Sequence, residues 1–408
     1  MNYAASRLAS VQPSASMAVS GRAKELSLLG HDVIDLGVGE PDFDTPAHII
    51  EAAHAAALAG NTRYTPTVGA HDLTQAIVEK LARENNLHYA TDEVIVSNGA
   101  KQVIFDALMA TMEPGEEVLL CAPHFDIYKT MTHVLGGTPK VIACSAQDSF
   151  QLTPQALQDA IGPATRWLFL NLPSNPAGAV YTAADLRALG EVLSRHPQVL
   201  ILADEIYEHI IFDGREFVSF AAACPELRER TLCVNGVSKS YAMTGWRIGY
   251  GAGPKALIVA MTKVQSQITS GASAISQAAA LAALTGPQDN VSQFREAFER
   301  RRNIVLDGIA LCPGLTLEPP GGAFYTFIGC AAFIGARTPD GSLIRDDVGF
   351  CQYLLNEGLV AAVPGSAYSL SPFFRLSTAT SDDALSTAMQ RIASCVATLT
   401  PVANNNGA

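Results

Sequence analysis

Lys239 sits in a stretch, Leu232–Tyr250 (LCVNGVSKSYAMTGWRIGY), whose residue types suit chemistry on a carbonyl group. The apolar run Leu232-Cys233-Val234 reads as the end of a buried strand, which then breaks into small and hydroxyl residues around the lysine. Burial penalises an ammonium, so a lysine enclosed by small, partly apolar neighbours is pushed to lose its proton, and the freed amine can attack a carbonyl carbon. Arg247, further along, supplies a permanent planar cation matched to a phosphate, and Ser238 adds a hydroxyl donor beside the lysine. Amine, hydroxyl and guanidinium together describe a seat for a phosphorylated aldehyde joined to Lys239. A lysine on a surface loop is the bland alternative.

Other stretches offer complementary groups. Leu200–Tyr207 (LILADEIY) runs a buried strand into two carboxylates and a tyrosine; Asp204 at that strand end must find a partner or shift its pKa, unless it only caps the next turn. Phe373-Phe374-Arg375-Leu376-Ser377 puts an arginine inside an apolar strand, which calls for a bidentate anion or a structural salt bridge. Asn98-Gly99-Ala100-Lys101 turns a strand into a helix, and free N–H groups with the helix dipole make such a turn a ready phosphate seat. Leu172–Gly178 (LPSNPAG) can be a turn and no more. Gly37-Val38-Gly39 lacks the third glycine of a dinucleotide fingerprint, and Pro41 blocks a helix after it. Tyr64, in the loop Asn61–Pro66, is as readily a packing residue as a functional one.

Gly236-Val237-Ser238-Lys239, Ala242-Met243, Gly245 and Arg247-Ile248-Gly249 resemble the pyridoxal-phosphate attachment signature of class I/II aminotransferases. The resemblance runs from about Ser10 to Leu399 and is nearest to a bacterial aspartate/prephenate aminotransferase subgroup. It implies an α/β protein of the pyridoxal-phosphate transferase fold type I, with a large domain on a mostly parallel seven-stranded sheet and a smaller α+β C-terminal domain. It implies ping-pong transfer of an amino group between an amino acid and a 2-oxo acid, aspartate with 2-oxoglutarate first. Neutral, aromatic or prephenate-type substrates stand as alternatives, as does a β-lyase of the same fold. In that scheme Lys239 holds pyridoxal 5′-phosphate and moves the α-proton, Asp204 pairs with the ring nitrogen, and Tyr207 donates to the phenolic oxygen. Ala100, Lys101, Ser238 and Arg247 serve the phosphate end, Phe125 stacks on the ring, and Asn175 contacts ring oxygen and substrate. Arg375 grips the α-carboxylate, the Gly39 amide faces it, and Lys101 faces a distal carboxylate. Tyr64 reaches the phosphate of a neighbouring subunit, which makes a homodimer with shared sites. Two departures stand out: Ala177 where Thr or Ser is usual, and Pro123-His124-Phe125 where the subgroup has Pro-Tyr-Trp, so that Phe125 can stack but cannot donate a hydrogen bond.

The elements that must position these groups follow from pattern. From Glu93 onward strands and helices alternate, as in a mostly parallel sheet covered on both faces. Strands are expected at Val94–Ser97, Glu117–Ala122, Lys140–Ala143, Arg166–Asn171, Val199–Ala203, Ile210–Phe212 and Thr231–Val234, and later at Gly322–Ile328, Leu359–Val363 and Phe373–Ser377. Helices are expected at Ser16–Leu29, Pro46–Ala59, His71–Glu84, Gln102–Met112 and Ser292–Ile309, where Arg300-Arg301-Arg302 reads as a solvated face. The expected division is an arm plus part of the small domain at 1–45, a large cofactor domain at 46–290, a small domain at 291–400, and a disordered tail at 401–408.

Composition narrows the function classes. The chain of 408 residues is 48% apolar and 16% charged, an ordinary globular balance with room for two domains. A net charge of −12 without a basic stripe speaks against nucleic acid, and no apolar run nears membrane-spanning length. Eight scattered cysteines without C-x-x-C and nine histidines without metal spacing suggest reduced thiols in a cytoplasm and no metal centre. No export signal is read at the N-terminus, and no winged-helix module of the kind found in aminotransferase-like regulators is expected ahead of the core.

Overall fold

A computed structural model of the chain describes residues 3, 5–8, 11 and 14–400; half of the expected arm and all of the expected tail lie outside the described residues. The central element is a seven-stranded sheet in the order Val94–Ser97, Gly249–Ala252, Thr231–Gly236, Leu200–Asp204, Thr165–Asn171, Glu117–Ala122 and Thr138–Ala143. Only Gly249–Ala252 runs antiparallel to its neighbours. The inner strands are buried on both faces, which is why they read as unbroken apolar runs. Register then does the positioning. Asn171 lies beside Asp204, Asp204 beside Val234, and Gly236 and Ser97 each beside Gly249, so the carboxyl ends of these strands share one edge. Every segment singled out around Lys239, Asp204, Asn175 and Lys101 leaves the sheet from that edge, the usual place for a ligand crevice in such sheets.

A second sheet is antiparallel, in the order Val363–Pro364, Phe373–Ser377, Tyr325–Gly329 and Thr316–Leu317. Ile34–Asp35 pairs in parallel with Val360–Ala361, so the N-terminal segment joins the C-terminal elements. Helix Ala15–Leu28 packs there too, through Ala23 and Leu26 against Leu355 and Ala361. No helix among the described residues is long and apolar enough to cross a membrane.

Three expectations are corrected. Ile210–Phe212 is not a strand; it makes a single bridge, Ile211 to Gly322, because Ile210 folds back onto Tyr207 and Asp213 turns with φ +60°. The arginines of helix Asp289–Ala310 are not all solvated. Only Arg300 is exposed; Arg301 and Arg302 share the buried face of Phe298, Val305 and Ile309. Arg301 grips Asp42 with both terminal nitrogens at 2.8 and 2.9 Å, and Arg302 grips Asp213 likewise at 2.6 and 2.7 Å. Leu359–Val363 is broken into Val360–Ala361 and Val363–Pro364, which pair with different partners.

Behind Asp204 the fold buries an ion cluster. Lys80, wholly buried in helix His71–Asn85, donates to Glu208 and to Asn85, while Asn85 and Asn235 also donate to Glu208, at 2.5 and 2.8 Å. Glu84 adds a second carboxylate 3.4 Å from Lys80, and His209 bonds it at 3.0 Å. Burial would raise the Glu84 pKa, but His209 and Lys80 outweigh it and hold the group at about 2. The cluster ties helix, strand and the segment 204–209 together. Removing one partner of a buried pair leaves an uncompensated charge, so Lys80→Met should cost roughly 3–5 kcal/mol in denaturant unfolding. Lys80→Met with Glu208→Leu should recover much of that loss; a double variant no more stable than the single would show that the pair is not what holds the segment.

Candidate active site

The crevice at the carboxyl edge holds a cavity of about 460 Å³. Lys239 enters it three residues beyond the strand Thr231–Gly236, and its Nζ donates to the Gly39 carbonyl at 2.5 Å. The rings of Tyr207 and Phe324 lie 5.9 and 5.6 Å from that nitrogen. Burial lowers the Lys239 pKa to about 8; Glu40 opposes the shift, and the cations Arg375, Lys101 and Arg247 support it. Glu40 is itself tied to Thr244 at 2.8 Å. The group Gly39 commits is thus its carbonyl, to the lysine.

Asp204 ends its strand buried at the cavity wall. Its Oδ2 accepts the Tyr128 hydroxyl at 2.5 Å and its Oδ1 the Ile206 N–H at 3.3 Å. Burial raises its pKa to about 6 against the pull of those two donors and of Lys239. Tyr207, one turn on, meets Tyr325 hydroxyl to hydroxyl at 3.1 Å. Asn171 donates to the Asp204 carbonyl and accepts the Asn175 N–H, so the loop Leu172–Gly178 is hung from the same strand pair.

One end of the cavity is built for an anion. Arg247 takes φ +56°, donates to Thr244 O at 2.7 Å and lies over the turn before helix Ala100–Thr111. Gly99, at φ +85°, is needed there: a Cβ would stand 2.3 Å from Arg247 Nη2. Gly249 meets the same turn from the sheet, where a Cβ would come within 2.2 Å of Ala100 N. Ala100, Lys101, Ser238 and Arg247 all line the cavity here, at a helix start whose first amides lack partners in the helix. Phe125 caps helix Asp126–Val134 and presents its ring to the cavity, with Lys101 Nζ 5.3 Å above it.

At the other end Arg375, 2% exposed, is pressed between Tyr325 and Tyr368, at 4.5 and 5.1 Å from their rings. It donates to Gly37 O at 2.6 Å, Asn175 Oδ1 at 3.2 Å and Ser16 Oγ at 3.4 Å, all neutral, and its Nε has no partner among the described residues. Its charge meets no carboxylate among the described residues.

Of the residues expected at a site, Lys239, Asp204, Tyr207, Ala100, Lys101, Phe125, Asn175, Ser238, Arg247, Gly39 and Arg375 line this one cavity. Tyr64 does not: it is 96% exposed, in a separate depression with Thr269–Ile275. Sequence reasoning missed Tyr128, Tyr325, Ser16 and Met17, which also line the cavity. A tyrosine in the first turn of a helix or inside an apolar strand carries no signal of its own. Tyr325 became visible only through its register opposite Ser377, two residues from Arg375.

A parallel sheet whose carboxyl edge gathers an amine of lowered pKa, a buried carboxylate and an anion seat defines an enzyme working through pyridoxal 5′-phosphate. The model of the family "Aminotransferase class I and II" matches residues 31–392, and the chain belongs to that family. It is 52% identical over 389 residues to the aspartate aminotransferase of Rhizobium meliloti (strain 1021), covering 95% of each chain. It is 49% identical to an aspartate/prephenate aminotransferase of Cereibacter sphaeroides, over 96% of this chain and 98% of that one. Among solved structures, the Thermus thermophilus aspartate aminotransferase with maleate superposes with TM-score 0.89 at 39% identity, covering 97% of this chain and 100% of that one. The chain is therefore a pyridoxal-phosphate-dependent aminotransferase.

The residues present fit that cofactor: an amine for its aldehyde, an anion seat for its phosphate, a ring for its face and a carboxylate for its nitrogen. Because the Lys239 pKa is lowered, its neutral amine takes over above about pH 8. Covalent capture of pyridoxal 5′-phosphate by the apo-protein, trapped with borohydride and located by mass spectrometry, should fall on Lys239 and rise through about pH 8. A rise centred near the ordinary lysine value would put the amine in water.

Proposed function

We propose that this aminotransferase works on aspartate and 2-oxoglutarate, by a ping-pong exchange at the cavity described above. The observation that carries the reading is Arg375: a buried guanidinium with neutral partners and a free Nε is costly until a carboxylate arrives. Lys101, exposed in the same cavity and without a carboxylate partner among the described residues, suits the second carboxylate of a dicarboxylic acid. The names of the relatives and the maleate of the Thermus structure point the same way.

Bound in this cavity, pyridoxal 5′-phosphate supplies the electron sink that lets the α-proton of an amino acid leave. The protein's own groups do the rest. Lys239, neutral above about pH 8, is the base that takes the α-proton and then returns it. Asp204 offers its ionised carboxylate to the ring nitrogen, and Tyr207 offers a hydroxyl to the ring oxygen. Arg247, Ser238 and the amides at Ala100 would hold the phosphate, and Phe125 would cover the ring. Arg375 and Asn175 set the α-carboxylate so that the Cα–H bond faces Lys239, and the Gly39 segment, tied to Lys239, closes that side.

Tyr64 supports a homodimer with shared sites: an aromatic side chain left almost wholly in solvent, beside Thr269–Ile275, is suited to reach a neighbour's phosphate seat. The separate cores around Phe350 and around the two faces of the sheet support the division at 1–45, 46–290 and 291–400. Eight free cysteines support a reducing compartment, the cytoplasm.

A second reading, an aromatic or prephenate-type substrate, is favoured by Phe125, whose ring adds apolar surface where the subgroup resemblance implies a hydrogen-bonding indole, and by the Cereibacter relative's name. Half-reaction spectra of the cofactor-loaded enzyme against a panel of amino acids separate the two. Lys101→Ala should lower the aspartate specificity constant by about one to two decades and leave alanine little changed; Phe125→Trp should widen the lead of aspartate. Equal losses for aspartate and alanine would assign Lys101 to the phosphate turn and remove the dicarboxylate reading.

A further inference from the structure

Tyr128 lies in the first turn of helix Asp126–Val134, three residues after Phe125, so the two side chains share one helix face toward the cavity. Its ring is locked edge-on against Phe125 at 5.6 Å and Phe169 at 5.3 Å, and it is 2% exposed. From that socket the hydroxyl has one acceptor, Asp204 Oδ2. An ionised carboxylate has about four acceptor positions. Tyr128 and the Ile206 N–H fill two of them, and the carboxylate still lines the cavity.

We infer that Tyr128 is the positioning residue of Asp204: its hydroxyl fixes the carboxylate plane and keeps it an anion ready for a protonated ring nitrogen. The inference rests on the reading of Asp204 as the partner of that nitrogen. The titratable groups facing this carboxylate are Tyr128 from the helix, Lys239 from the loop after its neighbouring strand, and Tyr207 from its own segment. Burial raises the Asp204 carboxyl to about 6, and the Tyr128 hydrogen bond is the leading influence against it. Without that hydroxyl the carboxyl protonates at higher pH, and a protonated carboxyl is a poor acceptor for a ring N–H.

The test uses apo-protein of wild type, Tyr128→Phe and Asp204→Asn, with two probes: pyridoxal 5′-phosphate and its analogue with carbon in place of the ring nitrogen. Binding is followed by quenching of tryptophan fluorescence between pH 5 and 9, with thermal melts of each apo-protein alongside. Phe keeps the ring contacts, so Tyr128→Phe should melt near wild type. It should bind the cofactor about tenfold more weakly, with the acid limb of the affinity profile moved upward by about one pH unit. The carbon analogue should bind wild type and Tyr128→Phe alike, without that limb. Equal weakening for both probes, or an unmoved acid limb, would make Tyr128 a packing residue and overturn the inference. If Asp204→Asn also failed to distinguish the probes, the Asp204 pairing would fall and the inference with it. If Asp204→Asn distinguished them and Tyr128→Phe did not, the inference alone would fall.

Discussion

Arg375 keeps a full positive charge where water hardly reaches, with neutral oxygens and two aromatic faces around it. A charge so placed costs several kcal/mol unless an anion is bound, so the surrounding structure must hold it against the pull to leave. The small antiparallel sheet does this. Arg375 is paired to Phe327 and Val363 on either side, and Tyr325 and Tyr368 close over the guanidinium. The N-terminal segment adds the Gly37 carbonyl and Ser16, which explains why Ile34–Asp35 belongs with the C-terminal elements. On the function proposed here, substrate affinity and fold integrity meet in this one residue: an arriving carboxylate relieves a deficit built into the protein.

The lysine end follows the same logic with opposite sign. There the fold needs a cation to become neutral, so it surrounds Lys239 with apolar rings and other cations and gives its amine, among the described residues, only a carbonyl to bond. Arg301 holds that side in place from a distance. It clamps Asp42, in the turn that carries Gly39, to the long helix Asp289–Ala310, and reaches Asp382 at 3.3 Å on the last helix. Arg302 clamps Asp213 to the same helix. These pairs are partly buried and bidentate, so they fix geometry as well as adding attraction. The helix joins the turn beside the amine to the elements around Arg375.

Much of the site was legible because its residues break local rules. A lysine among small residues at a strand end, an aspartate closing LILA, and an arginine inside FFRLS each contradict their surroundings, and functional sites are where such conflicts gather. Residues that obey the rules stayed hidden. Tyr128 and Tyr325 look like core aromatics and are packed as such, yet each turns a hydroxyl onto a site group. Arg301 and Arg302 misled for the converse reason. In a run of three arginines the charge face is the expected reading, and only helix phase, set against Asp42 and Asp213 far away in sequence, buries two of them.

The sequence by itself determined the alternation of strands and helices, the lysine loop and the identity of the charged groups, because strand periodicity, turn chemistry and the type of ionisable group are local properties. Only the tertiary structure decided how these groups meet. Strand register set Asn171 beside Asp204 and Asp204 beside Val234 of the lysine strand, and a shift by one residue would have sent every side chain to the other face. Burial then changed the chemistry: the same lysine and aspartate in water would keep their ordinary pKa values, and it is desolvation, a property of the packed whole, that moves them to about 8 and about 6.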